Sequence, residues 1–170
     1  MEYKASLNTL GKIITGLVIL FFIYMGYESI SSFIKTPDDT TVLYPQIGAF
    51  VLLFLVIVFS YLFAPKAYKI TDSELQVLRP VGNKKFKLSD ISEVRFVENS
   101  LKTVGIRTFG VGGLFGYYGK FYFKDIGSVN MYATKLGNRI LITMKDDKKI
   151  ILTPNDLNFS SDLKEKMAST

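Results

Sequence analysis

The sequence predicts a membrane α-helical hairpin followed by a mainly-β domain that ends in one helix. Three observations lead to this fold class. Two apolar blocks occupy the first 64 residues, short alternating runs separated by turn residues fill positions 67–153, and an amphipathic stretch closes the chain. With 170 residues, of which 48% are hydrophobic, the chain has room for one domain besides the apolar blocks.

The second apolar block is the clearer of the two. No charged residue occurs in the 26 positions between Asp39 and Lys66, and 18 of these positions form the apolar run Ile47–Ala64. A run of this length is enough to cross a hydrocarbon layer about 30 Å thick. Pro45 and Pro65 frame the block and indicate where it begins and ends. We expect a transmembrane helix at about 46–64.

The first apolar block has only 15 residues, Ile13–Tyr27, between Lys12 and Glu28. At 1.5 Å per residue this gives ~22 Å of charge-free helix, which flanking apolar residues extend to a span at about 10–30. The alternative is a cleaved signal peptide with a small-x-small site at Ser29–Ser31. The bulky aromatic core and the second span soon after it favour a helical hairpin.

The charges beside the two spans predict their orientation. Lys4 and Lys12 accompany the first span, and Lys66 and Lys69 follow the second. Because cationic residues prefer the cytoplasmic side, both termini and the soluble domain are expected inside, with the loop 34–45 outside. The chain would then be an integral membrane protein.

Small and polar residues within the predicted spans could pack the two helices together. They are Thr15, Gly16, Gly26, Gly48 and Ser60. These glycines form no GxxxG pair, so helix dimerisation is not specified.

From position 67 onward the pattern is that of a β domain. Short runs such as 67–70 (AYKI) and 92–98 (SEVRFVE) show strand composition or period-two alternation, and turn residues separate them. Seven or eight strands in hairpin succession predict an antiparallel sandwich or small barrel. After Pro154, the residues Phe159, Leu163 and Met167 fall on one face of a helix, with Ser160 or Ser161 as candidate caps.

The most unusual stretch is Arg107–Phe123 (RTFGVGGLFGYYGKFYF), in which five glycines alternate with aromatic residues. It lacks the Lys-Ser/Thr pair of a P-loop, and Phe115 stands where a dinucleotide fingerprint needs its third glycine. Two interpretations remain open. Either the glycines serve backbone geometry, or the aromatic side chains are exposed as an anchor or docking surface. The structural glycines are Gly110, Gly112, Gly113, Gly116 and Gly119, and the candidate partner surface is Leu114, Phe115, Tyr117 and Tyr118.

Basic residues give a second candidate site. The net charge is +6, and the part after position 64 contains eighteen Lys and Arg against eleven Asp and Glu. Four of these cations, Arg79, Lys84, Lys85 and Lys87, lie on a predicted hairpin just after the second span. The hairpin either binds anionic lipid headgroups or is simply solvated. Lys145, Lys148 and Lys149 flank a second turn and are interpreted as solubilising.

The soluble part resembles a bacterial PH-like domain family over about 66–168. The resemblance rests on a Gly-Leu-Phe-Gly-Tyr-x-Gly-x-Phe segment, a Tyr-Ala-Thr motif and a proline before the last helix. The matching residues are Gly113, Leu114, Phe115, Gly116, Tyr117, Gly119, Phe121, Tyr132, Ala133, Thr134 and Pro154. It implies a strongly bent seven-stranded antiparallel sheet capped by a C-terminal helix, amino-terminal membrane spans, a bacterial cytoplasmic membrane and no established catalytic activity.

Residues suited to catalysis are scarce. The chain has no histidine and no cysteine, which excludes most zinc sites and Cys/His nucleophiles. Asp146–Asp147 is interpreted as a hairpin turn, and Asp90 with Glu93 as a local turn. We expect no enzyme activity, no metal site, no cofactor and no nucleic-acid partner.

The sequence therefore predicts a non-enzymatic binding or assembly module anchored in the membrane. Its partner is expected to be a membrane protein or a second copy of the chain. Recognition of anionic membrane lipid by the basic hairpin, and a role as auxiliary subunit of a transporter or envelope enzyme, are the alternatives.

Overall fold

The computed structural model describes residues 1–35, 40–97 and 105–169. A short strand β1 (Glu2–Lys4) comes first, then the helices α1 (Thr9–Lys35) and α2 (Thr40–Leu62). The described residues after α2 form nine strands and a final helix. They are β2 (Ala67–Ile70), β3 (Glu74–Leu78), β4 (Lys84–Lys87), β5 (Ile91–Phe96), β6 (Ile106–Gly112), β7 (Tyr117–Phe123), β8 (Gly127–Ala133), β9 (Ile140–Met144), β10 (Lys149–Leu152) and α3 (Phe159–Ala168).

Both predicted spans are helices, and both are long and apolar enough to cross a membrane. Only 6% of the most apolar stretch of each is buried within the protein. Helix α1 begins after Asn8, whose side-chain oxygen accepts the Gly11 N–H at 2.9 Å as an N-cap. Helix α2 begins at Thr40 rather than 46, with Pro45 inside it. Asp38 and Asp39 of the predicted external loop lie outside the described residues.

The two helices pack through aromatic rings. Phe22 stacks on Phe50 at 4.4 Å and on Phe54 at 6.1 Å between ring centroids. Gly26 lies against Phe50, where an added Cβ would come within 3.2 Å of the ring. The expectation that small residues pack the hairpin therefore applies to Gly26, whereas Gly16 and Gly48 have open space beside them.

The strands form two sheets. One has the order β1-β2-β3-β4 and is antiparallel throughout. The other has the order β5-β9-β10-β8-β7-β6. Four of its five pairings are antiparallel, and β8 pairs with β10 in parallel.

The prediction of one seven-stranded antiparallel sheet or small barrel needs correction. The described residues form two separate sheets and no closed barrel, and one strand pair is parallel. The reason lies in the connection 134–139 between β8 and β9. It leaves the place next to β8 for β10, so that β9 lies two strands away from β8. The β9–β10 hairpin then returns beside β8, so β10 runs in the same direction as β8.

Strand β1 is an element that the sequence analysis did not predict. Glu2, Tyr3 and Lys4 pair with Lys69, Tyr68 and Ala67 of β2. The amino terminus itself donates to the Ile70 carbonyl at 2.8 Å. Because β1 precedes α1 and β2 follows α2, the two ends of the helical hairpin are joined in one sheet.

One hydrophobic core fills the space between the four-stranded sheet and the six-stranded sheet. Helix α3 closes it with Phe159 and Leu163, both fully buried, as the sequence predicted. The helix begins at Phe159, so Ser160 and Ser161 lie in its first turn and not at the cap position. A second core, which includes Phe121 and Met131, lies on the other face of the six-stranded sheet.

Candidate functional site

The glycine-rich stretch forms the contact between the β domain and the two helices. It comprises β6, the tight turn 113–116 and β7. The Gly113 N–H donates to the Gly116 carbonyl at 2.8 Å and closes the turn. We call the contact residues Thr15, Ser60, Tyr61, Phe115 and Tyr118 the junction.

The first helix binds the turn through a polar side chain. The Phe115 N–H donates to Oγ1 of Thr15 at 3.1 Å, although 100 positions separate the two residues. Thr15 is 8% exposed, so its hydroxyl is shielded from solvent and the Phe115 N–H gives it a hydrogen-bond partner. Ile14 packs beside it, about 3.1 Å from where a Cβ at Gly113 would lie.

Phe115 has an unusual backbone conformation. Its φ is +54°, a left-handed value that a bulky residue rarely adopts. Its ring makes an edge-to-face contact with Tyr61 of α2 at 5.5 Å between centroids. Strain of this kind persists only where surrounding contacts hold it in place. At this position the hydrogen bond to Thr15 and the contact with Tyr61 hold it.

The second helix is bound at its last turn. The Tyr118 hydroxyl donates to the Ser60 carbonyl, and the Val81 N–H in the β3–β4 turn donates to the Leu62 carbonyl at 3.1 Å. The last carbonyls of a helix have no partner within it, so both bonds satisfy groups that would otherwise be unpaired. Burial raises the pKa of Tyr118 to about 12, and the hydroxyl stays a donor at neutral pH.

The glycines serve backbone geometry. Gly110, Gly113, Gly116 and Gly119 have positive φ, whereas Gly112 does not. Gly110 and Gly119 face each other across β6 and β7. A Cβ on Gly110 would overlap the Tyr118 carbonyl, and a Cβ on Gly119 would overlap the Phe109 carbonyl. Only glycine allows the two strands to approach this closely.

The residues proposed as a partner surface are largely turned toward the chain itself. Tyr117 and Tyr118 are 8% and 7% exposed. Leu114 and Phe115 are half-buried beside the helices. The segment thus contacts the membrane-type helices of its own chain, while docking of another protein on it stays a prediction.

Two polar residues of the predicted spans are a sequence signal for this contact. Thr15 and Ser60 are polar residues inside apolar spans, and we interpreted them as helix-packing residues. They bind the turn 113–116 and strand β7 instead. Local sequence patterns carry no information about a contact between positions 15 and 115.

The family comparison agrees with this architecture. The family described as Bacterial PH domain matches residues 66–167, which is more than half of the chain. The chain belongs to the bacterial PH domain family. No curated protein and no solved structure matches it. The PH domain defined by the match starts at β2, and β1 is added to its sheet from in front of the helices.

The basic hairpin of the PH domain is β3–β4, and its four cations separate into two groups. Arg79 turns toward the end of α2, where its guanidinium lies 5.4 Å from the centre of the Phe63 ring and its side chain donates to the Gly82 carbonyl. Lys84 is exposed next to that turn. Lys85 and Lys87 lie further along β4.

Lys85 and Lys87 line a cleft of about 620 Å³. Its opposite wall is the β9–β10 turn with Lys145 and Lys148, which the sequence analysis treated as solubilising. Lys148 pairs with Asp146 at 2.6 Å, and Lys85 lies 3.8 Å from Glu74. The hydrogen bond to Lys148 lowers the pKa of Asp146. We call this feature the lysine cleft.

The lysine cleft lies at the strand ends opposite the junction. Tyr118 pairs with Tyr132 near the end of β8, and β10 runs parallel to β8. The turn before β10 is therefore at the other end of the sheet. The interpretation of Asp146–Asp147 as a hairpin turn is confirmed, with Asp147 at φ +61°.

The most exposed apolar part of the PH domain is the edge strand β6. It pairs only with β7 in the described sheet. Ile106 is 70% exposed and Phe109 is 78% exposed. Natural sheets usually protect such edges, and an unprotected edge can add a strand from another chain. No motif or charge pattern in the sequence singles out these two residues.

Proposed function

We propose that the chain is a non-enzymatic, membrane-anchored PH module that holds a binding surface in a fixed orientation beside the bilayer. Its partner would be a membrane protein or a second copy of the chain. The observation that carries this proposal is the junction, where Phe115 and Tyr118 bond to α1 and α2. A domain bonded to both helices cannot swing freely on a linker.

Two features support membrane anchoring. The apolar surfaces of α1 and α2 are almost entirely unburied in the chain, which a soluble core helix would not allow. Strand β1, buried through Tyr3 against the PH domain, argues for a hairpin that keeps its amino terminus and against a cleaved signal peptide. The basic flanks support an orientation with both ends and the PH domain on the cytoplasmic side.

We assign the partner surface to the edge strand β6. The tyrosines predicted for this role are buried, whereas Ile106 and Phe109 are exposed next to the segment that contacts the helices. Tethering at the membrane raises the local concentration of a membrane partner, so that a modest interface is sufficient.

Photo-crosslinking in native membranes tests the assignment, with a photoreactive residue at Phe109 and a matched probe at Leu157, which is 48% exposed on the α3 side. Adducts to one protein, or to a second copy of the chain, from Phe109 and not from Leu157 would support it. Equal labelling from both positions, or adducts with lipid alone from Phe109, would contradict it.

Anionic lipid recognition is the second candidate function. The β3–β4 turn is bonded to the end of α2, and if α2 spans a membrane this bond would hold Arg79 and Lys84 near the bilayer surface. Lys87 lies three residues further along β4, roughly 10 Å away at 3.3 Å per residue. The register therefore predicts that Lys84 contributes more to headgroup binding than Lys87 does.

Native mass spectrometry of the full chain from anionic nanodiscs compares the two positions. Retained anionic lipid should fall in Lys84→Gln and stay near the wild-type amount in Lys87→Gln. Equal retention in both variants and in the wild type would remove this candidate.

Stoichiometric co-purification with one transporter or envelope enzyme would instead indicate an auxiliary subunit.

A further inference from the structure

A second cavity, of about 330 Å³ and partly open to solvent, lies in the PH domain on the face of the six-stranded sheet away from α3. Its walls are mainly apolar and aromatic. They include Tyr117, Phe121, Phe123 and Met131, each of them at most 8% exposed. Two arginines, Arg107 and Arg139, also line it. This cavity is separate from the lysine cleft and is on the scale of a small-ligand pocket.

Arg139 is the unusual group in this cavity. It is 7% exposed, and within the described part of the chain its Nε and Nη1 atoms have no hydrogen-bond partner. Its guanidinium lies 5.7 Å from the centre of the Phe123 ring. A buried guanidinium with two unpaired nitrogens is costly, because no ion pair with a described residue offsets its desolvation. Burial accordingly lowers the pKa of Arg139.

The position of Arg139 is fixed by the fold. The residue directly precedes β9, and its carbonyl accepts the Val97 N–H at 2.9 Å. Its neighbours on the same face of the sheet, such as Leu141, belong to the second core. The side chain therefore extends from a rigid strand end into an apolar cavity rather than into solvent.

Arg107 adds a second cation at the rim. It lies on the exposed strand β6, and its guanidinium passes beside Gly112, where Nη1 is 3.6 Å from the position of an added Cβ. One arginine is thus inside the cavity and one is at its opening. Guanidinium groups bind carboxylate and phosphate oxygens through charge-assisted hydrogen bonds, and aromatic walls accept an apolar body.

We propose that this cavity binds a small organic anion, with its carboxylate or phosphate on Arg139 and its apolar body against Phe121 and Phe123. Arg107 closes the site from the rim. The ligand supplies the acceptors that Arg139 lacks, and its apolar part fills space that the aromatic rings leave open. This site shares strand β6 with the proposed partner surface through Arg107, and it lies apart from the β3–β4 hairpin proposed to bind lipid.

The test measures the thermal unfolding of the full chain in nanodiscs with soluble probes. 4-Phenylbutyrate represents the carboxylate, phenyl phosphate the phosphate, 4-phenylbutyramide the neutral analogue and inorganic phosphate the bare anion. A rise in the midpoint with either organic anion, absent with the amide and with inorganic phosphate, supports the proposal and identifies the acid group. No rise with either organic anion, or an equal rise with inorganic phosphate, overturns it.

Variants locate the site. Arg139→Met should weaken binding of the active probe by about tenfold or more, the usual consequence of losing a charge-assisted bond. Arg95→Gln, which removes an exposed arginine paired with Glu93 at 3.2 Å, should leave binding unchanged. Unchanged binding in Arg139→Met overturns the proposal.

Two further results separate a ligand site from a structural arginine. Without ligand, Arg139→Met should unfold at the same temperature as the wild type or higher, because it removes an unpaired buried charge. A clear fall would indicate a structural role and count against the proposal.

In the wild-type chain, NMR should show slower solvent exchange of the Arg139 Nε proton when the active probe is added, a result that does not depend on any variant folding. An unchanged exchange rate at saturating probe would contradict binding at this residue.

Discussion

The hydroxyl of Tyr118 in β7 donates a hydrogen bond to the backbone carbonyl of Ser60 in the last turn of α2. The Ala64 N–H, which would continue the helix to Ser60, donates instead to the Tyr61 carbonyl at 3.2 Å. The Ser60 carbonyl therefore has no partner within the helix, and the PH domain provides one. The end of the second helix and the fold of the β domain thus depend on each other.

Tyr118→Phe should destabilise the chain. It keeps the ring in place but leaves the Ser60 carbonyl unpaired where Ser60 is 5% exposed. The expected loss in the free energy of unfolding is about 1–3 kcal/mol. Thermal unfolding of the full chain in detergent measures it. Tyr122→Phe on the same strand, where the side chain is 49% exposed, is the matched control and should be close to neutral. Equal effects from the two variants would show that the Ser60 bond contributes nothing.

Thr15→Val tests the contact with α1. The substitution keeps the shape of the side chain and removes the acceptor of the Phe115 N–H. Because Phe115 has a strained φ of +54°, we expect the turn 113–116 to open locally, with a cost of roughly 1 kcal/mol. Hydrogen exchange of the amides in this turn should become faster. Thr15→Ser retains the oxygen, so its turn amides should exchange at the wild-type rate. Faster exchange in Thr15→Ser as well would show that packing, and not the hydrogen bond, holds the turn.

Gly110→Ala should be strongly destabilising. At φ +120° an alanine is strained, and its Cβ would overlap the Tyr118 carbonyl on the facing strand. Strain alone costs on the order of 1–3 kcal/mol, and the overlap adds to it. Gly137→Ala is the control, because no atom lies within 4 Å of its added Cβ. Comparable unfolding midpoints for both variants would contradict the close approach of β6 and β7.

Tyr3→Ala should destabilise the PH domain although Tyr3 precedes the helices. The ring is 8% exposed and meets Phe159 edge to face at 5.1 Å between centroids. Loss of a buried aromatic side chain costs roughly 3–5 kcal/mol of unfolding free energy. The cost should be smaller for Tyr3, because a strand at a chain terminus frays. Tyr3→Phe keeps the ring, loses the hydroxyl with its contacts to Asp162 and the Met1 sulfur, and should cost far less. Chemical denaturation of the two variants measures the difference.

Mass spectrometry of the membrane-extracted chain should find residues 1–30 still attached.

Stability should fall between about pH 10 and pH 12, in part through Tyr68. This tyrosine is fully buried, which raises its pKa from 10.0 to about 12. Above pH 10 the unfolded chain releases the proton while the folded chain retains it, so the free energy of unfolding decreases until about pH 12. A shift of this size corresponds to roughly 2–3 kcal/mol.

Tyr68→Phe provides the check on this pH dependence. The variant should be less stable at pH 8, because the Thr153 N–H loses the hydroxyl that accepts it at 3.2 Å. Its stability should then decline less steeply above pH 10 than that of the wild type. Parallel declines in the two proteins would show that other groups, such as Tyr118, account for the alkaline transition.

The sequence by itself determined the local elements. An uninterrupted apolar run predicts a helix, alternation between turn residues predicts a strand, and a spacing of four predicts the α3 face with Phe159 and Leu163. These patterns repeat over a few residues, so they can be read without knowing what lies opposite. Backbone geometry was one of two interpretations of the five glycines, and four of them have positive φ, which is a local property.

The tertiary structure alone decided which elements meet. The pairing of β8 with β10 depends on where the connection 134–139 leads, and the pairing of β1 with β2 depends on two helices that bring them together. The contact between Thr15 and Phe115 joins positions 100 residues apart. Arg139 became a candidate ligand residue only when its burial and its missing partners were known. Periodicity records which face of an element is apolar, whereas burial, hydrogen-bond partners and cavities depend on the element that packs against that face.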